Sequence, residues 1–116
     1  MVKPLTRPIS QYSLDALALL GQLVREARIG RAMTTIDLAA RAGISRALLQ
    51  RIERGDAGCS IGVVFEVAAI CGVQLFELDQ RQLRTHLTLH GEKMSLLPKA
   101  VRVNGNGAGN EVNDDF

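Results

Sequence analysis

From Thr34 to Gly72 the chain alternates residues that start helices with residues that stop them: Thr34-Thr35 then Gly43, Ser45 then Gly55, Ser60 then Gly72. A hydroxyl oxygen at a helix start accepts a hydrogen bond from a first-turn N–H that has no intrahelical partner. A glycine at the end takes the positive φ that other residues adopt only at a steric cost. Between these marks lie three apolar runs. The first holds Ile36, Leu38, Ala39 and Ala42, the second Leu49 and Ile52, and the third Val63, Val64, Val67, Ala68 and Cys71. Their spacing is helical, so the segment predicts three short helices joined by narrow turns.

The same logic extends outward. Residues 1–12, with Pro4 and Pro8, show no helical period and are expected to form a flexible arm. Ser13 is the expected cap of a first helix, with Asp15 at the positive end of its dipole. Leu17, Leu20, Val24 and Ala27 then step along one face, and Gly30 ends the helix. Beyond Gly72, residues Leu75, Phe76 and Leu78 open a last helical region expected to run through Leu83 and Leu87 to a stop at Gly91. Aromatic residues make up only 3% of the chain and Trp is absent, so aliphatic side chains must fill the interior, which favours packed helices over a β-sandwich. The expected fold is all-α, a bundle of five or six helices over 13–91. After Pro98 the chain passes through a Gly-Asn run, 104–110, too polar to order alone, and ends in Glu111, Asp114 and Asp115. Residues 92–116 are therefore expected to be an extension ending in a flexible acidic tail.

Net charge is only +2, but its distribution is uneven. Seven arginines between positions 25 and 54 face Glu26, Asp37 and Glu53, a local surplus of four positive charges. Cys59 and Cys71 form no CxxC pair and lack a spaced His partner, so both are expected to be inert thiols. Without a leader-like start, an intracellular, cytoplasmic and reduced setting is expected. No apolar run approaches the roughly 18 residues that cross a bilayer. His86 and His90 have i, i+4 spacing, but no Cys or paired carboxylate completes a metal site. There is no Gly-rich phosphate loop opening a helix. No enzyme, cofactor or metal is expected.

The central pattern has a steric reading. Two helices crossing through a turn of three or four residues need a small side chain where they touch, which Ala39 supplies, and a positive φ, which Gly43 supplies. Ile44, Leu49 and Ile52 fasten the following helix from behind, leaving its opposite face free for a partner. On the strength of LGQLVREAR, TTIDLAARAGISRALLQRIERG and SIGVVFEVAAICGV, residues 20–78 resemble the Cro and lambda-repressor-like helix-turn-helix family, often called the XRE family. The resemblance implies a lambda-repressor-like bundle that binds double-stranded operator DNA as a homodimer. It makes Arg46, Ala47 and Gln50 the expected base-edge readers, Arg46 suited to guanine, Gln50 to adenine and Ala47 to a thymine methyl. Thr35, Arg41, Ser45, Arg51 and Arg54 flank them as expected phosphate contacts. Many members carry Gln where this chain has Thr35, a departure that shortens the reach to a phosphate.

Two leucine pairs, Leu19 with Leu23 and Leu83 with Leu87, are candidates for joining protomers or for packing together within one subunit. More narrowly, the RPISQYSLDALALLG start, GVVFEVAAICGVQLFELD and SLLPKAVR with its NDDF ending are similar to HipB-type antitoxins. That likeness implies a second partner, a HipA-like kinase toxin, and makes Val112, Asp114, Asp115 and Phe116 its candidate contacts. The alternative is a stand-alone regulator with no toxin partner.

Overall fold

In a computed structural model, residues 8–102 and 111–113 are described. Five α-helices run in chain order: α1 (Gln11–Gly30), α2 (Thr35–Ala42), α3 (Arg46–Glu53), α4 (Ile61–Cys71) and α5 (Gln80–Ser95). A 3-10 turn, Leu75–Glu77, follows α4, and a two-stranded ribbon, β1 (Ala100–Arg102) with β2 (Glu111–Asn113), follows α5. The chain divides into two compact units, one ending at Glu77 and the other beginning at Leu78.

The first unit is all-helical, as the sequence suggested, with four α-helices and the 3-10 turn, while α5 falls in the second unit. Helix α1 packs on α3 and α4, and α2 packs on α3 and α4, around Val24, Met33, Leu38, Leu49, Ile52, Val67 and Cys71. No polar or charged residue is fully buried among the described residues. The helix starts follow capping chemistry closely. Thr34, rather than Thr35, caps α2: its hydroxyl accepts from Asp37 N at 3.0 Å, while Asp37 Oδ2 accepts from Thr34 N at 3.2 Å. These bonds hold the Asp37 carboxyl below the usual aspartate range, the hydrogen bonds to Thr34 being the main cause. Gly43 ends α2 with φ 68°, as its place in the turn requires.

Three expectations about helix ends are corrected. Helix α1 starts at Gln11 instead of after Ser13, because Ser10 is the cap and its hydroxyl accepts from Ser13 N at 3.2 Å. Ser60 stands at the cap position of α4 but makes no side-chain capping bond. The last helix neither opens at Leu75 nor stops at Gly91. Phe76 and Glu77 have left-handed φ values of 56° and 59°, which interrupt helical backbone. Asp79 then starts a separate helix through a reciprocal capping box with Gln82. Gly91 lies within α5, where no contact forces it out of helical geometry.

In the second unit α5 buries none of its residues. The ribbon is antiparallel, with Val101 opposite Val112 and Arg102 opposite Glu111, where the sequence suggested only tail. Of the arm expected over residues 1–12, residues 1–7 lie outside the described residues, residues 8–10 precede α1, and Gln11 and Tyr12 belong to α1 instead; the tail at 103–110 and 114–116 also lies outside the described residues.

Candidate nucleic-acid interface

Helix α3 is short and two-faced. Ser45 caps it in extended backbone, its hydroxyl accepting from Leu48 N at 3.0 Å. Leu49 and Ile52 are buried, which turns Arg46, Ala47 and Gln50 outward, and all three are exposed. Arg54, one turn beyond Gln50, continues the same side and is also exposed.

What sets this helix against α1 is a close approach and an ion pair. At Gly21 a Cβ would lie 2.6 Å from the carbonyl oxygens of both Ile52 and Glu53, so α1 can meet the end of α3 only with hydrogen there. Two turns further along α1, Arg28 Nε donates to Glu53 Oε2 at 2.8 Å and Nη2 to Oε1 at 3.1 Å. The Arg28 Nη1 donates to Met33 O at 2.9 Å, so one guanidinium ties α1, the residue before the α2 cap and the last turn of α3. The two side chains are 11% and 8% exposed. The hydrogen bond to Glu53 raises the Arg28 pKa above its ordinary value. Arg28 and Glu53, counted in the charge surplus of the sequence, therefore pair with each other, and both line the open cleft between α1 and α3.

Above this strut lies an open polar cleft of about 550 Å³, lined by Gln22 and Arg25 of α1, Thr35 of α2, and Gln50 and Arg54 beside α3. Gln22 and Arg25 were missed from the sequence. A signal was present: positions 22, 25 and 28 repeat every three residues on the side of α1 away from Leu20 and Leu23. Thr35, half-buried as the first residue of α2, stands where that helix presents its positive end.

The remaining candidates are more dispersed. Arg41 is exposed in the last turn of α2 and is not a lining residue of the cleft. Arg51 is half-exposed and engaged: its Nε donates to Asp56 Oδ2 at 3.0 Å, and Asp56 Oδ1 accepts from Gly58 N at 2.7 Å. This pair fastens the loop after α3, and its hydrogen bond raises the Arg51 pKa and lowers that of Asp56. Among the described residues, Arg25, Arg41, Arg46 and Arg54 form no ion pair. Val112 is in β2, while Asp114, Asp115 and Phe116 lie outside the described residues.

Among the described residues no three His, Cys, Asp or Glu side chains gather as a metal site, and His86 and His90 are exposed on α5. Cys71 is buried, which pushes its thiol pKa up, and Cys59 is half-buried. No described helix is long and apolar enough to cross a membrane.

Two helices joined by a Gly-Ile-Ser turn, the second with a free polar face beside unpaired arginines, define a DNA-binding helix-turn-helix protein. A profile of the helix-turn-helix domain family matches residues 19–87, more than half of the chain, and the protein belongs to that family. No curated protein matches the chain.

Proposed function

We propose that the protein is a sequence-specific transcriptional repressor of the XRE type that binds two-fold operator DNA as a homodimer. Arg46, Ala47 and Gln50 read base edges in the major groove, and Thr35, Arg41, Ser45 and Arg54 hold phosphates. Gln22 and Arg25 join the phosphate contacts from α1. Arg51 contributes its outer guanidinium edge while Asp56 holds the other. The observation that carries this reading is the outward face of α3, exposed along Arg46, Ala47 and Gln50 and continuous with the cleft. One such face spans too few base pairs to select a site, which is why two copies about 34 Å apart are needed.

Fluorescence anisotropy with a duplex from upstream of its own gene, against a scrambled duplex, tests the reading. A repressor of this kind prefers the upstream duplex by a factor of about a thousand or more. Equal affinity for both duplexes across the salt range would reduce it to a non-specific cation.

The finer reading, an antitoxin that neutralises a HipA-like kinase toxin and represses its own operon, rests on the likeness of the terminal and central segments to HipB-type antitoxins. Its test is removal of residues 104–116 from a chain co-expressed with the kinase-like product of a neighbouring reading frame. Lost co-purification with DNA binding intact supports the antitoxin. A chain that never retains the kinase is the stand-alone regulator.

A further inference from the structure

A second concavity lies on the other side of α1. It encloses about 320 Å³ and is lined by Leu19, Leu23, Phe65, Leu75, Phe76 and Glu77 among others. Leu19 is 57%, Leu23 40% and Phe76 75% exposed, and Phe76 is held at the rim by left-handed backbone that a bulky residue seldom adopts. The groove shares no lining residue with the polar cleft, and at about 100° per residue Arg25 lies on the far side of α1 from Leu19 and Leu23.

The chain also carries a matching surface without a buried residue. Along α5, Leu83, Leu87 and Met94 fall on one face, and Leu87 and Met94 are 61% and 48% exposed. The charges are complementary. Glu77 lines the groove, and Asp15 and Glu26 sit one turn from Leu19 and Leu23 on the same side of α1. On α5, Arg84 and Lys93 flank the apolar face on either side, while Arg81 and the single acid Glu92 lie toward the opposite side.

We infer that α5 of a second copy of the chain seats its Leu83-Leu87-Met94 face in this groove, reciprocally, so that each protomer holds the helix of the other. Two seats share the interface. Each then needs to bury only about half of the roughly 1,200–2,000 Å² of a stable dimer, a reach suited to one face of a four-turn helix. The exchange supplies the two-fold partner that the proposed DNA binding requires and rests on that reading only for its purpose.

The test is sedimentation equilibrium of the full chain without DNA, so its failure and a failure of DNA binding are separately visible. The wild type is expected to be a dimer. Leu23→Glu in the groove and Leu87→Glu on α5 should each lose the dimer while far-UV circular dichroism stays helical. Mixed together they keep one intact seat, a normal groove facing a normal α5, and should form a one-to-one heterodimer at least tenfold weaker than the wild type. A monomeric wild type, a Leu87→Glu variant that stays dimeric through groove-to-groove pairing, or a mixture that does not associate would each overturn the inference.

Discussion

Replacing Glu53 by alanine should damage the bundle far more than loss of a surface charge. The Arg28 and Glu53 side chains are 11% and 8% exposed, and Arg28 makes two of its three side-chain hydrogen bonds to Glu53. Removing one member of a buried pair strands the other charge, at about 3–5 kcal/mol. The residual opening toward the polar cleft lets water reach the guanidinium, which places the cost near the lower end, about 3 kcal/mol. A unit of about 70 residues has roughly 4–10 kcal/mol in total, so the variant keeps only part of its margin. For a domain of this size the melting temperature should fall by about 12–24 °C. Urea denaturation followed by far-UV circular dichroism measures the loss directly. The double variant Arg28→Met/Glu53→Leu, which strands no charge, should recover most of it, giving a favourable coupling in a double-mutant cycle. A loss under about 1 kcal/mol, or no coupling, would show that the pair behaves like an exposed one and would refute its role as the strut between α1 and α3.

Two glycines separate helix propensity from packing. Gly21→Ala should lower the melting temperature despite better helix propensity, because its Cβ would lie 2.6 Å from two backbone oxygens, whereas Gly91→Ala, with nothing within 4 Å, should stabilise α5 by up to about 1 kcal/mol. Arg51→Ala should raise the Asp56 carboxyl toward the ordinary aspartate range in an NMR pH titration, since their hydrogen bond is the main cause of its depression. Because the folded pKa values of Asp37 and Asp56 are lowered, their contributions are present above the unfolded aspartate value of about 3.9 and are lost as pH falls through the folded values beneath it. Arg25→Ala should reduce the salt slope of DNA binding by about one, without changing base preference, if that side chain holds a phosphate.

The parts of this molecule legible in the sequence are those fixed by neighbours in the chain. Gly43, Ser45 and the inward Leu49 and Ile52 act within a turn or two, and the structure keeps them where the pattern put them. Local ambiguity explains the misplaced start of α1, since Ser10 and Ser13 both offer a hydroxyl ahead of the same apolar stripe. Gly91 read as a stop because glycine favours helix ends, yet in an exposed helix its cost is only about 1 kcal/mol and the capped start at Asp79 carries α5 past it. What could not be read is pairing across distance. Arg28 and Glu53 are 25 positions apart, and nothing local distinguishes them from the arginines left free for a partner. Nor does composition show that Arg51 is occupied by Asp56, or that Gln22 and Arg25 reach the same cleft as Gln50.

The most direct measurement is residue-by-residue mapping of the surface that DNA touches, by following backbone amide chemical shifts as the upstream duplex is added. Shifts should concentrate at Thr35, Arg46, Ala47, Gln50 and Arg54, with a second group at Gln22 and Arg25, and leave Leu19, Phe65 and Phe76 unmoved. Shifts centred on the apolar groove, with the outer face of α3 silent, would contradict the account.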